Sequence, residues 1–71
     1  MSQEILAPMP GTIVEILAEV GDAVEEMQEV VVLEAMKMEN AIAATAAGTV
    51  KSIDVAVGDK VATKQVVMVV E

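Results

Sequence analysis

The residues best placed to do chemistry lie in the stretch Glu34-Ala35-Met36-Lys37-Met38-Glu39, at the middle of the chain. Lys37 offers a primary amine, and it is the only lysine among the first 50 residues of a chain with four basic and twelve acidic residues. Met36 and Met38 flank it at a place where large apolar side chains have no core to enter, which indicates a recognition surface. A two-residue turn here would contain neither Gly nor Asn, and backbone strain at a projecting tip is typical of a group that must be presented. A solvated turn that happens to carry a lysine is the alternative that these residues alone leave open.

The composition argues against several classes of function. The 71 residues contain neither Cys nor His, which removes disulfides, thiolate and imidazole metal sites and the commonest general base. We therefore expect no metal site, no catalytic residue and no enzymatic activity of the chain by itself. The net charge of −8 and the lack of aromatic residues argue against binding to nucleic acid.

The apolar runs are too short to cross a membrane. The longest of them is Val66–Val70, whereas a spanning helix needs about 20 residues. The first residues include Glu4 and show no basic segment followed by an apolar one, which is the pattern of a signal peptide. The sequence therefore predicts a cytoplasmic protein without direct membrane insertion.

An internal repeat sets the position of the Lys37 stretch. With a shift of 37 positions, residues 4–34 align without a gap on residues 41–71, and thirteen of the 31 pairs are identical. The identical pairs include Gly11/Gly48, Gly21/Gly58, Asp22/Asp59, Gln28/Gln65 and Glu34/Glu71. Residues 1–71 are therefore predicted to be a single domain made of two copies of one unit, with residues 35–40 as the connection.

Each unit is predicted to consist of short β-strands. In both units β-branched residues fill the second strand and a Gly-Asp pair breaks it, and in the first unit two prolines end the first strand. In the first unit we expect strands at Ile5–Ala7, at Thr12–Val20, in a short piece from Val24, and at Val30–Leu33. In the second unit we expect strands at Ala41–Ala44, Gly48–Val57 and Val66–Val70. The alanines of residues 41–47 would also suit a helix, but their alignment with the proline-containing first unit argues against it.

Two such units, related by a pseudo-twofold axis and packed on each other, can bury the apolar face that each would expose alone. The predicted fold class is therefore all-β, a flattened barrel or sandwich (a barrel-sandwich hybrid) of about eight short strands. Lys37 is expected at the tip of a tight hairpin between the units, with the chain termini near the opposite end.

The remaining notable residues are predicted to build the frame. The four glycines are predicted to form turns that need positive φ, and Asp22 and Asp59 to bond back to the backbone of their turns. Three methionines outside the hairpin are predicted to fill the core or its edge: Met9, Met27 and Met68.

The Glu34–Glu39 stretch resembles the attachment motif of the biotinyl domain, the biotin carboxyl carrier of biotin-dependent carboxylases, decarboxylases and transcarboxylases. The flanks agree, since residues 7–12 (Ala-Pro-Met-Pro-Gly-Thr) resemble the first segment of that family and residues 20–24 resemble its turn. Second copies of both segments stand at residues 48–50 and 57–61. The resemblance covers nearly the whole chain, and one departure is Ala44-Thr45, where the family repeats its Ala-Pro pair.

The resemblance implies a carrier and not a catalyst. A biotin protein ligase would join biotin as an amide to Lys37, with Met36 and Met38 serving recognition and with Ala35 and Glu34 completing the motif. Biotin would then accept a carboxyl group at one active site and deliver it at another, so biotin carboxylase and carboxyltransferase subunits are the implied partners. About ten bonds separate the backbone from the biotin ring, which would reach roughly 12 Å beyond the hairpin.

Two other functions compete with this one. A lipoyl domain is a swinging-arm carrier with the same repeat fold, but its motif resembles Asp-Lys-Ala, so Met36 and Met38 argue against it. An unmodified interaction module would not need a lysine at the tip. The gapless repeat leaves no inserted loop in the first unit, as some acetyl-CoA carboxylase carriers have, which favours the carriers of decarboxylases, transcarboxylases or propionyl-CoA-type carboxylases.

Overall fold

The computed structural model describes residues 3–71, which contain eight β-strands joined by turns and loops. The strands are β1 (Gln3–Leu6), β2 (Gly11–Ile16), β3 (Ala23–Val24), β4 (Glu29–Ala35), β5 (Met38–Ala43), β6 (Gly48–Ile53), β7 (Lys60–Val61) and β8 (Val66–Val70). The predicted all-β class with about eight strands is confirmed. The helical alternative for residues 41–47 is wrong, since this segment contains the end of β5 and a bend. None of residues 3–71 belongs to a helix that is long and apolar enough to span a bilayer.

The strands form two four-stranded antiparallel sheets, in the orders β1-β8-β6-β3 and β5-β4-β2-β7. The two central strands of each sheet come from one half of the sequence, and the two outer strands come from the other half. The two repeat units are therefore packed on each other without forming separate layers, since each sheet contains strands of both. The halves exchange their outer strands, and each exchanged strand covers an edge that the central pair would otherwise leave open to solvent.

The strand registers recur at an offset of 37 residues. Ile5 on β1 pairs with Met68 on β8, and their counterparts Ile42 on β5 and Val31 on β4 pair in the same way. The irregularity in the β2–β4 ladder, between residues 13 and 15, recurs between residues 50 and 52 in the β6–β8 ladder. The two halves are thus equivalent down to their bulges.

The recurring register also fixes where the two ends of the described segment, residues 3–71, lie. Gln3 pairs with Val70 as Asn40 pairs with Leu33, next to the hairpin that carries Lys37. The last residues of β8 and the first of β1 therefore occupy the position equivalent to the hairpin, at the other end of the two-fold arrangement.

An apolar core fills the space between the sheets. The largest fully buried side chains are those of Ile5, Ile13, Val30, Val31, Leu33, Val50, Val67, Met68 and Val70. Within residues 3–71 no polar or charged residue is buried. Met68 belongs to the core and Met9 packs against it, as predicted, but Met27 is 76% exposed, so its predicted role in the core or at its edge is wrong.

β2 and β6 end at Ile16 and Ile53, earlier than predicted, for a local reason. The Asp22 carboxylate accepts a hydrogen bond from the Glu19 amide at 2.9 Å, and the Asp59 carboxylate accepts one from the Ala56 amide at 2.9 Å. These bonds, which the sequence predicted, close a turn that draws the chain away from the sheet before it reaches the glycine.

Elsewhere the strand bounds shift by a few residues. β1 begins at Gln3 and ends at Leu6, so Ala7 lies beyond it, whereas β8 has the predicted bounds. β4 and β5 both extend toward Lys37, because Ala35 pairs with Met38. The predicted six-residue connection is therefore a two-residue turn.

The glycines divide into two kinds. Gly21 and Gly58 have φ of 94° and 95°, as predicted for turn formers. Gly11 and Gly48 begin β2 and β6 without a positive φ, so the prediction is wrong for them. Their missing side chains instead allow a close approach between strands, because a Cβ at Gly11 would lie 2.5 Å from the Glu34 carbonyl oxygen.

Candidate functional site

The hairpin between β4 and β5 places Lys37 at its tip. The ladder closes with the Ala35–Met38 pair, and Met36 and Lys37 form the turn with φ of 54° and 67°. Two consecutive left-handed residues are the geometry of the type I′ hairpin turn, which Asn and Gly favour. Non-glycine residues in this region cost about 1–3 kcal/mol each. The strain predicted for a turn without Gly or Asn is therefore present in the structure.

At the tip of the hairpin the side chains are exposed, and only Ala35 at its base is buried. Ala35 is buried at 9% exposure, whereas Met36 is 94% and Met38 is 64% exposed. Lys37 is also exposed. Within residues 3–71 no carboxylate oxygen lies within 4.0 Å of the Lys37 amine, and the one ion pair in this part of the chain joins Lys51 to Glu71. The Lys37 amine is thus accessible to a large partner.

Two carboxylates flank the base of the hairpin. Glu34 on β4 pairs directly with Glu39 on β5, both side chains are exposed, and Thr12 on β2 is the other neighbour of Glu34. Like charges directly opposite one another weaken a β-ladder slightly. The pair also gives the approach to Lys37 a local excess of negative charge.

Asn40 connects the hairpin to the first segment of the chain. Its side-chain amide donates to the Met38 carbonyl oxygen at 3.4 Å and lies 4.0 Å from the Met9 sulfur. The equivalent amide, that of Gln3, donates to the Ala46 carbonyl oxygen at 3.2 Å and accepts a hydrogen bond from the Thr45 hydroxyl. The sequence analysis missed this role, although extending the repeat by one position would have aligned Gln3 with Asn40.

Gln28 and Gln65 are a second pair that sequence reasoning did not explain. Gln28 Oε1 accepts from the Glu25 amide at 2.9 Å, and Gln65 Oε1 accepts from the Ala62 amide at 3.0 Å. Each bond closes a turn that contains a non-glycine residue with positive φ, Met27 in one turn and Lys64 in the other. The identity of the two glutamines in the repeat was the available signal.

The site can present a nucleophilic amine but contains no partner for acid–base chemistry at close range. Residues 3–71 hold no group of three or more His, Cys, Asp or Glu residues arranged to bind a metal ion. Among the predicted site residues, the hairpin brings Met36, Lys37 and Met38 together at the tip, with Ala35 beneath them and Glu34 at the base. An exposed primary amine without an ion pair fits a group that is attached through its carboxyl carbon as an amide.

Known proteins share this arrangement of sequence and fold. A biotin carboxyl carrier protein of Streptococcus mutans is 61% identical over 41 residues, which are 58% of this chain and 32% of that protein. The mitochondrial propionyl-CoA carboxylase alpha chain of Homo sapiens is 49% identical over 43 residues, which are 61% of this chain and 6% of that one. This chain thus spans a third or less of the length of both relatives.

Among solved structures, the urea carboxylase of Kluyveromyces lactis superposes on the whole of this chain with a TM-score of 0.95 and 32% sequence identity, using 6% of its own length. The family model described as "Biotin-requiring enzyme" matches residues 3–71. Because that match spans the described fold and both halves of the repeat, the chain belongs to the biotin/lipoyl family of biotin-requiring enzymes.

Proposed function

We propose that residues 1–71 form a single biotinyl domain, built from the repeats 4–34 and 41–71, that carries biotin as an amide on Lys37. The domain acts as the carboxyl carrier of a larger biotin-dependent enzyme and has no catalytic residue of its own. The observation that carries this proposal is the hairpin tip, where a strained two-residue turn holds an exposed lysine between two exposed methionines.

The residues of the hairpin have separate tasks in this function. Met36 and Met38 offer a polarisable apolar surface to the biotin protein ligase, because their side chains are exposed on both sides of Lys37. Ala35 is buried beneath the tip and fixes it to the barrel, and Glu34 is the last residue of β4 that pairs with β2. The Lys37 amine forms the amide bond and loses its positive charge.

Biotin, when attached, supplies a ureido nitrogen that can carry a carboxyl group between active sites. The chain holds the biotin ring away from the barrel and brings it to the active sites. The barrel is a rigid base, since its core is made only of packed apolar side chains, and the hairpin projects the attachment point away from that base. The direction of a lysine side chain is better defined on a rigid turn than on a mobile loop, so partner sites can select one direction of approach.

The proposed partners are a biotin protein ligase and the biotin carboxylase and carboxyltransferase units of the parent enzyme. The relatives support such a setting, because they include a biotin carboxyl carrier protein and propionyl-CoA carboxylase alpha chains. A propionyl-CoA-type carboxylase, a decarboxylase or a transcarboxylase is the parent we favour. The cytoplasmic location expected from the sequence stays a prediction.

A lipoyl carrier is the less supported alternative. The family model covers both kinds of carrier, but the relatives described above are biotin carboxyl carriers and carboxylases. Mass spectrometry separates the two possibilities, because biotin and lipoic acid add different masses to the same lysine.

The test is attachment by a purified biotin protein ligase. We expect one biotin per chain at Lys37 and none on the Lys37→Arg variant, which keeps the charge and the fold. The matched control replaces Lys51, Lys60 and Lys64 together by Arg and should be labelled like the original chain. Biotin on the Lys37→Arg variant, found by intact mass and peptide mapping, would overturn the assignment.

A further inference from the structure

We propose that Gly11 is a positioning residue for the modification of Lys37. The missing side chain at Gly11 lets β2 approach β4 closely at the base of the hairpin, and this approach sets the place from which Lys37 projects. The inference rests on the proposed function, since it concerns the same attachment reaction.

Gly11 lies in tight contact with both the backbone and a side chain of β4. A Cβ at Gly11 would lie 2.5 Å from the Glu34 carbonyl oxygen and 2.8 Å from Leu33 Cδ1. Leu33 is fully buried, so it has no free space into which it could turn. Since neither obstacle is the end of a flexible surface side chain, an alanine at position 11 must push β4 outward by roughly 0.5 Å or more.

The displacement would occur three residues before Lys37. Glu34 and Thr12 form the last pair between β2 and β4, and beyond them β4 pairs only with β5. The tip is held by the Glu34–Glu39 and Ala35–Met38 pairs, so it moves with the base as one body. A shift at the Glu34 carbonyl therefore reaches Lys37 without breaking the turn.

The repeat supplies a matched control at the other end of the molecule. A Cβ at Gly48 would lie 2.9 Å from the Glu71 carbonyl oxygen and 2.8 Å from Val70 Cγ1, the counterparts of Glu34 and Leu33. Like Gly11, Gly48 begins a strand without positive φ. Gly48→Ala therefore introduces a similar clash and a similar loss of stability, but far from Lys37.

The first experiment compares the kinetics of biotin attachment to the original chain, Gly11→Ala and Gly48→Ala, at a temperature where all three are folded. We expect the kcat for Gly11→Ala to fall about 10- to 100-fold, because a misplacement approaching 1 Å is enough to disturb a reacting geometry. Its KM should stay within about threefold, since Met36 and Met38 remain exposed at the tip. Gly48→Ala should keep both constants within about twofold.

The second experiment does not depend on the attachment reaction. Amide chemical shifts of residues 34–39 in the unmodified chains should move in Gly11→Ala and stay unchanged in Gly48→Ala. If the original chain accepts no biotin, the proposed function fails, whereas the shifts still test the displacement of the hairpin.

Three outcomes would overturn the role of Gly11: equal loss of kcat in the two variants, unchanged shifts of residues 34–39 in Gly11→Ala, or a Gly11→Ala chain that stays unfolded while Gly48→Ala folds. If both variants unfold, trimethylamine N-oxide is added to favour the compact state, and the comparison is made there. Equal kinetics under those conditions would also overturn it.

Discussion

Lys37 and Lys64 both have a positive φ, 67° and 68°, and both are exposed. Lys64 is fixed by a hydrogen bond from its own amide to the Ala7 carbonyl oxygen at 2.7 Å, and its neighbours are Thr63 and Gln65. Lys37 instead follows Met36 and precedes Met38 at a projecting tip. Strain and exposure are thus shared by two lysines, and the methionines with the hairpin geometry are what distinguish the proposed acceptor.

Moving the lysine by one position tests whether the direction of its side chain matters. The double variant Met36→Lys with Lys37→Met keeps the composition, the charge and both strands. The two positions of the turn project their side chains in different directions, so the shifted amine should face away from the ligase site, and labelling should fall by orders of magnitude. Labelling rates measured by avidin blotting and intact mass provide the readout.

Stability should hardly change in this double variant, because exposed substitutions usually alter the free energy of unfolding by about 0.5 kcal/mol or less. Thermal melts of both chains serve as the control. If the shifted lysine is labelled as fast as Lys37, exposure alone suffices and the geometric account of the tip has to be given up.

Among the elements, the strands were easier to predict than their ends. The repeat and the β-branched runs located seven of the eight strands, because strand interiors depend on burial with a period that the sequence displays, whereas the two-residue strand β7 (Lys60–Val61) is too short to show such a period. Strand ends depend on local hydrogen bonds, such as the one from the Glu19 amide to Asp22, which closes a turn shortly after β2 ends at Ile16 in place of the expected Val20. The exchange of outer strands was not predictable, since a repeat gives the same pattern whether its units pack separately or interleave.

The turns closed by Gln28 and Gln65 should contribute equally to stability. Gln65→Ala removes the acceptor for the Ala62 amide, and Gln28→Ala removes the acceptor for the Glu25 amide. We expect each variant to lose about 0.5–1.5 kcal/mol of unfolding free energy in urea titrations. Gln65→Glu retains an acceptor oxygen and is the control that should lose little.

Biotin attachment should be as fast in these glutamine variants as in the original chain, because the hairpin is not involved. A loss of stability in Gln65→Glu as large as in Gln65→Ala would show that the side-chain hydrogen bond is not what stabilises the turn.

The net negative charge of the whole molecule comes from the first half of the sequence. Residues 4–34 contain eight acidic residues and no lysine, whereas residues 41–71 contain three acidic residues and three lysines, which gives −8 and 0. Lys37 and Glu39 cancel in the connection, and amide formation on Lys37 changes the total from −8 to −9. Since the halves exchange outer strands, the acidic half contributes to both sheets: Glu4 lies on β1 of one sheet, and Glu15, Glu29 and Glu34 lie on β2 and β4 of the other.

Attachment of biotin should leave the stability of the molecule nearly unchanged. The core lies between the sheets, the hairpin tip is outside it, and the loss of one positive charge at an exposed site is a small perturbation. We expect the melting temperatures of the two forms to agree within a few degrees, which is about 1 kcal/mol or less for a domain of this size. Calorimetry of the separated forms gives the comparison, and a much larger difference would mean that biotin packs on the barrel.

The exchange of outer strands predicts that neither half of the molecule folds alone. Fragment 1–36 would keep the β2–β4 pair, but β1 and β3 would lose their partners β8 and β6; fragment 37–71 would lose the partners of β5 and β7 in the same way. Each half would then expose the apolar face that the other half covers, and an isolated pair of strands is marginal in water. We expect each fragment to show the circular dichroism of an unfolded chain and an equimolar mixture to recover the β-sheet spectrum and a cooperative melt.

The control is fragment 1–36 alone, at the total peptide concentration of the mixture, and it should stay unfolded. A cooperative melt of fragment 1–36 by itself would show that the half is an autonomous unit, and the interleaved sheets would then not be what holds the molecule together.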